Sequence, residues 1–380
     1  MSAAPPFRQV TGTLVPGGDV QSVTGVRVGS AERTDSGWLT GTTVIAAPPG
    51  AVAGADVRGG GPATHETDVI APGTHSPAVD ALVLTGGSAW GLASAGGVQR
   101  GLAEDGRGFP APGLPGAFVP IVPAAAVYDL GRGDGTVRHP DAELGYEAYR
   151  SAAELAPLRR GSVGAGTGGF IGRGLLRGGL GSACLRTAAG HLVAAIVAAN
   201  PMGDVLEPAG RLHAAGVLAR LGAELPPAPA DWVERALAVS DAARSDPSLR
   251  NTTIAAVVTD APLDSARATR LAQSAQAGLA RAIHPSHTLA DGDTVFSLAT
   301  GTAGTAGTDP GSPAAPLDPL TLLMLNAAAA DALSLAIVDA ALSAAPHEEA
   351  APGGAPRPAA LSQLAPELAE AWRRLRTAGT

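Results

Sequence analysis

The sequence predicts a layered α+β fold in which β-sheets are covered by helices. Strand-like and helix-like segments alternate irregularly along its 380 residues, without an internal repeat. Hydrophobic residues make up 45% of the chain and charged residues 16%, a balance typical of a compact soluble protein rather than a disordered one. The length allows one large domain or two ordinary ones, and composition alone does not decide between them.

Hydrophobic periodicity and the placement of Gly and Pro residues predict the individual elements in order. They are strands at 42–47 and 81–84, a helix at 88–104, a strand in PIVPAAAVYDL, a helix at 142–156, the strand LVAAIVAAN, a strand from Thr252, a helix at 265–283, the strand TVFSLAT, and helices at 319–344 and 361–378. The Pro/Ala-rich segments 224–250 and 345–360 are expected to be an exposed connector and a linker.

Charge and cysteine content limit the partners and the compartment. The net charge is −8, and no run of basic residues provides a surface for nucleic acid or anionic membranes. The single cysteine, Cys184, permits no internal disulfide, so the cytoplasm is the expected location. The first residues do not resemble an export signal, and no uninterrupted run of about 18 apolar residues follows, so no membrane span is expected.

The junction between Asn251 and Thr252 is the most informative point of the sequence. There, a segment ending in SDPSLR meets an apolar strand whose first residue carries a hydroxyl. If the peptide bond before Thr252 is broken, its new α-amine, with a reference pKa of about 7.7 to 8.0, can take the proton from its own hydroxyl. The residues alone leave a second interpretation open, in which NTT is only a turn followed by a strand.

Seven blocks of the sequence resemble, in the same order, the P1 peptidase family, which includes D-aminopeptidases, β-aminopeptidases and nylon-oligomer endohydrolases. The blocks are RGGGPATHETD, LTGGSAWGLASAGGVQRGL, PIVPAAAVYDLGRGD, GSVGAGTGG, RGGLGSA, NTTIAAVVTDA and DGDTVFSLATG. The resemblance runs from about Gly25 to Leu342. Threonine within NTT, followed later by DGDT, is most similar to the nylon-oligomer (aminohexanoate-oligomer) endohydrolase branch, whereas many members of the family have serine at that position.

The resemblance implies a single domain of the N-terminal-nucleophile type, built as a four-layer αββα sandwich. It implies self-cleavage between Asn251 and Thr252, which gives a larger fragment, 1–251, and a smaller fragment, 252–380, that together form one structural domain. The processed heterodimers are expected to assemble into a homo-oligomer, a dimer or a tetramer. The resemblance implies Thr252 as the nucleophile, with no metal or organic cofactor.

Four further residues match positions that are functional in the family, and each also has a plain structural interpretation. Asp291 and Asp293 point the same way on an extended segment and could hold the new ammonium and the hydroxyl, whereas DGD is also a common turn. The Asn200 amide could donate to the oxyanion or simply end a strand. Tyr128 matches the active-site tyrosine of the family, and without that match it would be a half-buried core residue.

Arg177 departs from the family pattern. The family block usually reads KGG, with the lysine near the catalytic threonine, whereas this chain has RGG. Arginine does not give up its proton, and its planar group needs more room than an ammonium. Arg177 can therefore substitute if the lysine supplies charge or hydrogen bonds, whereas activity or self-cleavage should be slower if the lysine must exchange protons.

Two other motifs are weak signals for binding sites. GSVGAGTGG lacks the GK[ST] ending of a phosphate loop, so close approach to the cleft or tight packing between sheets accounts for its glycines. His284 and His287 in HPSH have a spacing that could bind a metal on a helix, but they lie in a Pro-containing turn with no third ligand nearby in the sequence. No metal site is predicted.

The predicted function is hydrolysis of linear amides, either nylon-type aminohexanoate oligomers or short peptides, through an acyl ester of Thr252. A natural role as an aminopeptidase on β- or D-amino-acid peptides is equally open. An acyltransferase similar to the ornithine acetyltransferases would instead pass the acyl group to an amine. A non-catalytic scaffold would result if Arg177 disabled processing.

Overall fold

The computed structural model describes residues 12–75, 78–239, 251–303, 317–346 and 358–378. The strands of this part, numbered in chain order, are β1 (Thr13–Leu14), β2 (Arg27–Arg33), β3 (Thr40–Ala46), β4 (Val52–Val57), β5 (Thr64–His65), β6 (Ala81–Thr85), β7 (Phe109–Pro110), β8 (Phe118–Val119), β9 (Ala124–Ala126), β10 (Phe170–Ile171), β11 (Leu176–Arg177), β12 (Gly179–Arg186), β13 (Leu192–Asn200), β14 (Thr252–Thr259) and β15 (Thr294–Ala299).

The helices vary widely in length. They are α1 (Ser88–Gly91), α2 (Ser94–Glu104), α3 (Ala142–Ser151), α4 (Ala215–Arg220), α5 (Trp232–Val239), α6 (Ser265–Ala282), α7 (Pro319–Ser343), α8 (Leu361–Leu364) and α9 (Pro366–Ala378). Residues 240–250 of the predicted exposed connector and 347–357 of the predicted linker lie outside the described residues. The described part of the connector is not exposed throughout, because it forms α5 and buries the large side chain of Trp232, which is 2% exposed. The prediction of an exposed connector over 224–250 is therefore wrong for this part.

Two sheets and two helix pairs form four layers. One sheet has the strand order β1-β12-β13-β14-β15-β4, and α6 and α7 pack on its outer face. The other has the order β2-β3-β6-β9-β5 and is covered by α2 and α3. Three clusters of buried apolar side chains fill the spaces between the successive layers. The predicted four-layer αββα sandwich is therefore confirmed.

The middle of the six-stranded sheet is buried on both faces. The strands β13 and β14 pair antiparallel along their whole lengths, from Val193 opposite Thr259 to Asn200 opposite Thr252. Their near-continuous runs of Val, Ile and Ala fit this position, since one face meets α7 and the other meets the second sheet. The pairing brings the end of β13 and the start of β14 to the same edge of the sandwich.

Several predicted elements are shorter in the structure than in the sequence analysis. The helix predicted at 88–104 is divided into α1 and α2, and it follows Gly87, whose φ of 80° is left-handed. The helix predicted at 142–156 ends at Ser151 and continues only as a short 3₁₀ turn, Ala152–Glu154. The strand predicted in PIVPAAAVYDL is limited to β9, since the prolines before it cannot donate to a sheet.

The long apolar helix α7 has the length and composition of a membrane span, but most of it is buried in the protein. Its two internal aspartates lie among buried residues and are paired. Asp331 accepts from Arg220 and Arg281, and Asp339 accepts from the Arg160 guanidinium. These ion pairs and the surrounding layers identify α7 as a core helix.

The predicted terminal helix at 361–378 is two helices, α8 and α9, because Pro366 cannot continue the hydrogen bonds of α8. Trp372 of α9 is 1% exposed and donates from its indole Nε1 to Asp339 Oδ1 at 2.8 Å. A further bond joins the Gly17 amide to the Arg376 carbonyl at 2.8 Å. Helix α9 is therefore packed against the core and hydrogen-bonded to α7 and to the segment before β2.

Candidate active site

Thr252 begins the central strand β14 and is almost completely buried, with 4% of its surface exposed. Asn200, the last residue of β13, lies directly opposite it. Side chains at directly opposite positions of an antiparallel pair share one face of the sheet, with Cβ atoms about 4.5–5.5 Å apart. The predicted nucleophile and the predicted oxyanion donor are therefore neighbours.

The peptide bond between Asn251 and Thr252 is held by a short parallel bridge to the 290–292 segment. The Asn251 amide donates to the Ala290 carbonyl at 3.2 Å, and the Gly292 amide donates to the Asn251 carbonyl, also at 3.2 Å. The Thr252 hydroxyl donates to the same Asn251 carbonyl oxygen. One carbonyl thus meets both a backbone donor and the hydroxyl oxygen that would attack it.

The glycine between the two aspartates allows this close approach. A Cβ on Gly292 would lie 2.9 Å from Thr252 Oγ1 and 2.8 Å from the Gly61 carbonyl oxygen. The glycine run 59–61 lies on the other side of the segment, where the Gly61 amide donates to the Asp291 carbonyl at 2.8 Å. Two of the sequence blocks, RGGGP and DGD, therefore form one packed unit beside Thr252.

Asp293 is 1% exposed and fixes the backbone next to the predicted nucleophile. Its Oδ1 accepts from the Thr253 amide at 2.7 Å. Its Oδ2 accepts from the His287 amide at 3.0 Å and lies 2.9 Å from His287 Nδ1. His287 has a left-handed φ of 54°, which aims both its backbone N–H and its ring at the carboxylate.

Asp291 is also 1% exposed and is held by neighbouring donors. Its Oδ1 accepts from the Met202 amide at 3.1 Å, and its Oδ2 accepts from the Thr288 hydroxyl at 2.6 Å. Burial raises the pKa of Asp291, and the charge of Asp293 raises it further. The two carboxylates make this corner of the sheet a favourable place for a cation such as a new α-ammonium.

The amide of Asn200 is fixed in one orientation. Its Oδ1 accepts from the Phe170 amide at 3.0 Å and from Arg132 Nη1, whereas its Nδ2 donates to the Tyr128 carbonyl at 3.1 Å. A reversed amide would place donors against donors and an acceptor against an acceptor. The bond to Tyr128 uses one hydrogen of Asn200 Nδ2 and leaves a second one on a side chain that shares a face of the sheet with Thr252.

Tyr128 lies just beyond the end of β9, and its side chain is only partly buried. The bond described above uses its backbone carbonyl. The next residue, Asp129, is 2% exposed and accepts from the Gly87 amide at 2.6 Å and from the Thr40 hydroxyl at 2.7 Å. Burial raises the pKa of Asp129 to about 6. Asp129 thus ties the segment around Tyr128 to the glycine turn before α1.

Arg177 lies on β11 and is fully buried. Phe170 lies between it and Asn200 in the chain of contacts. Arg177 Nη2 donates to the Thr167 carbonyl at 3.0 Å, and its guanidinium lies 5.6 Å from the centre of the Phe170 ring. Phe170 in turn donates to Asn200. Arg177 is therefore connected to the predicted oxyanion donor through Phe170.

The sequence analysis missed two residues at this site, Arg132 and His287. Arg132 lies in the loop block YDLGRGD, and nothing in its local pattern shows that it reaches Asn200. The sequence suggests only a metal ligand at His287, whereas the structure pairs this residue with Asp293. Among the described residues, no group of three or more His, Cys, Asp or Glu side chains is arranged to hold a metal ion.

Comparison with known proteins identifies the family. The chain matches Peptidase family S58 over residues 19–351. An uncharacterised aminopeptidase of Mycobacterium leprae (strain TN) is 40% identical over 341 residues, covering 87% of this chain and 91% of the relative. A 6-aminohexanoate-oligomer endohydrolase of Kocuria sp. (strain KY2) is 30% identical over 287 residues, covering 73% of both chains.

Solved structures agree with this match. A β-aminopeptidase of Burkholderia sp. superposes with a TM-score of 0.63 at 26% identity, covering 96% of this chain and 95% of that one. An L-aminopeptidase D-Ala-esterase/amidase of Ochrobactrum anthropi, described as a variant of the N-terminal-nucleophile hydrolase fold, superposes with a TM-score of 0.57 at 19% identity, covering 89% and 90%. The second likeness concerns the fold alone.

The family match covers most of the chain, and the predicted resemblance to the P1 peptidases is confirmed. The prediction of an amide-bond hydrolase is confirmed with it. The chain belongs to Peptidase family S58 and is an amide-bond hydrolase with the N-terminal-nucleophile fold.

Proposed function

We propose that the chain is a precursor that cuts itself between Asn251 and Thr252, and that Thr252 then hydrolyses amide bonds as an N-terminal nucleophile. The observation that carries this proposal is the contact between the Thr252 hydroxyl and the Asn251 carbonyl. The Gly292 amide donates to the same oxygen and is placed to stabilise the negative charge that attack would create there.

In the proposed self-cleavage, Thr252 Oγ1 bonds to the carbonyl carbon of Asn251. The bond from that carbon to the Thr252 nitrogen breaks, and the hydroxyl proton passes to this nitrogen, which becomes a free amine. Residue 251 is then an ester on Oγ1. Water hydrolyses the ester, which gives a carboxylate on Asn251 and restores the hydroxyl of Thr252.

In the proposed turnover, the α-amine of Thr252 takes the hydroxyl proton while Oγ1 attacks the substrate carbonyl. Asn200 Nδ2 and the Tyr128 hydroxyl donate to the oxyanion. The α-ammonium then returns the proton to the leaving amine, and water hydrolyses the acyl ester with the α-amine again as base. Asp291 and Asp293 hold the α-ammonium between these steps. This role is supported by the bridge of Asp291 to Asn251 and by the bond from the Thr253 amide to Asp293.

The proposed substrates are short peptides and other linear amides. The aminopeptidase of Mycobacterium leprae is similar over almost its whole length, which favours peptides with a free amino end. The Kocuria endohydrolase, at 30% identity, favours aminohexanoate oligomers as a second activity to test. The β-aminopeptidase fold neighbour keeps β-amino-acid peptides among the candidates. The enzyme is proposed to act in the cytoplasm as a homo-oligomer of processed heterodimers.

The decisive experiment is denaturing electrophoresis with intact-mass measurement of the purified protein. The expected result is two fragments that meet at Asn251 and Thr252, and one full-length band for Thr252→Ala. Thr252→Ser is the matched control, because it keeps a hydroxyl and should still cleave. A wild-type chain that stays whole on prolonged incubation contradicts the proposal and favours a non-catalytic scaffold.

A second experiment separates the candidate substrates. Turnover is measured on an L-aminoacyl amide, a β-alanyl amide, a D-alanyl amide and an aminohexanoate oligomer. Products are compared with and without an added amino-acid acceptor, since acyl transfer to the acceptor would identify an acyltransferase. Processed enzyme that cleaves none of these amides contradicts the proposed substrate range but not the self-cleavage.

A further inference from the structure

Arg132 contacts the side-chain oxygen of Asn200, the predicted oxyanion donor. It belongs to the loop after β9, in the block YDLGRGD. Its Nη1 donates both to the Gly168 carbonyl at 2.6 Å and to Asn200 Oδ1. Its guanidinium also lies 4.4 Å from the centre of the Phe170 ring. A single cationic nitrogen is thus shared between a fixed backbone carbonyl and the Asn200 side chain.

Contacts other than the bond to Asn200 also hold Arg132 in place. The Gly168 carbonyl and the Phe170 ring belong to the glycine-rich segment that packs beside β13. Gly168 can pack against Asp129 and Leu39 because it has no side chain. A Cβ at this position would lie 2.5 Å from Asp129 Oδ2 and 2.5 Å from the Leu39 carbonyl oxygen. The position of Arg132 is therefore set by the fold and not by Asn200 alone.

The contact has an electronic consequence as well as a geometric one. When the oxygen of an amide accepts from a cation, the amide is polarised, and its N–H groups become better hydrogen-bond donors. In Asn200 the polarised group is Nδ2, which the antiparallel pairing places on the same face as Thr252. A stronger donor there stabilises an oxyanion more than it stabilises a neutral carbonyl.

We infer that Arg132 is a positioning residue for the hydrolytic reaction, which acts by orienting and polarising the Asn200 amide toward the oxyanion. This inference rests on the proposed function, in which Thr252 attacks the substrate and Asn200 receives the negative charge. It does not require Arg132 to touch the substrate. Arg132 therefore affects kcat through Asn200 and leaves substrate binding nearly unchanged.

The test is a double-mutant cycle on the processed enzyme, with Arg132→Gln, Asn200→Ala and both changes together. Asn200→Ala is expected to lower kcat by about 10²–10³-fold, the usual loss for one oxyanion donor. Arg132→Gln is expected to lower kcat on the order of tenfold, with KM within about twofold, because a neutral amide neither polarises nor anchors Asn200 as well. The double variant should be no slower than Asn200→Ala.

Two further variants separate positioning from a structural effect. Arg132→Lys keeps a cation for Asn200 but loses the planar contact with the Phe170 ring, so its kcat should lie between that of Arg132→Gln and that of the wild type. Arg138→Gln is the matched control: Arg138 lies in the same loop, binds Asp134 and lies over the Trp38 ring at 5.3 Å. Its kcat should stay at the wild-type level.

The outcomes distinguish this inference from the proposed function. Turnover that survives Thr252→Ala would overturn the proposed function itself. If Asn200→Ala slows kcat but Arg132→Gln does not, or if their effects multiply in the double variant, the inference about Arg132 is wrong. Self-cleavage of each variant is followed as well, and kcat is expressed per processed chain, so that slow processing is not counted as slow turnover.

Discussion

Thr252, the first residue of β14, pairs directly with Asn200, the last residue of β13. Both residues lie where an apolar strand meets a polar edge, so the sheet itself sets the distance between them. Asp291 and Asp293 join this edge through the bridge to Asn251 and the bond to the Thr253 amide. The site is therefore built on strand ends in the middle of the molecule, where its geometry is well supported.

Gly292→Ala is expected to slow self-cleavage at least about tenfold, because the new Cβ would displace the hydroxyl that must reach the Asn251 carbonyl. The fraction of cut chain is followed over time by denaturing electrophoresis. Gly216→Ala is the matched control, since a Cβ at this position in α4 meets nothing within 4 Å. Equal cleavage rates in the two variants would show that the space at Gly292 is not needed.

Arg177→Lys is expected to cleave itself and turn over substrate within about threefold of the wild type. A guanidinium does not exchange its proton at neutral pH, so any part that Arg177 plays in either reaction must come from its charge and hydrogen bonds. Arg177→Met keeps an apolar stem without the charge and should be slower in both reactions. A large gain of activity in Arg177→Lys would instead indicate that a proton-exchanging group is missing at this position.

Asp129→Asn is expected to change how stability depends on pH. The pKa of Asp129 is raised to about 6 in the folded protein, above its reference value of 3.8. Its contribution to stability is therefore fully present below about pH 4 and is lost as the pH rises through about 6, by up to about 3 kcal/mol. The free energy of unfolding of the wild type, relative to Asp129→Asn, should be greater at pH 4.5 than at pH 7.5.

This comparison uses urea unfolding of both proteins in the same buffers. The absolute stability of Asp129→Asn does not matter, since the variant also changes the bonds to Thr40 and Gly87. Only the change with pH is attributed to the carboxyl group. A difference that stays constant between the two pH values would contradict the raised pKa.

Trp372→Phe is expected to lower the free energy of unfolding by about 2–4 kcal/mol. The change removes the indole bond to Asp339 and part of a buried ring, and it leaves a charged group with one donor fewer. Trp90→Phe is the control, since Trp90 is 63% exposed and should change stability by less than about 0.5 kcal/mol. If the two variants were equally stable in urea, the buried indole of Trp372 would not contribute to stability as expected.

The central part of the fold could be predicted from the sequence because its signals are local. The run LVAAIVAAN and the run beginning at Thr252 are apolar enough to identify buried strands, and a polar residue marks where each meets the edge. The pairing of Asn200 with Thr252 was not visible in either run. It depends on the antiparallel register of β13 and β14. The resemblance to a known family implied only that the two residues belong to one site.

Other features depend on contacts between distant segments and could not be predicted. Arg132 lies in a Gly/Asp-rich loop that has the composition of an ordinary turn, and only the folded chain brings it to Asn200. His287 contacts Asp293 because its backbone is left-handed, and this conformation cannot be predicted from the sequence for a residue other than glycine. Helix α1 ends at Gly91 and α2 begins at Ser94, a division that the helical pattern of 88–104 does not mark.

The strand order of the six-stranded sheet determines what a cut before Thr252 does to the molecule. The strands β14 and β15, which follow the junction, lie between β13 on one side and β4 on the other, and both of those precede it. The two fragments would therefore be hydrogen-bonded to each other through two strand pairs, β13 with β14 and β15 with β4. Separation of the two fragments would require breaking the hydrogen bonds between the central strands of the sheet. The cleaved protein should therefore keep the mass of the full chain under native conditions and separate into fragments only when it is denatured.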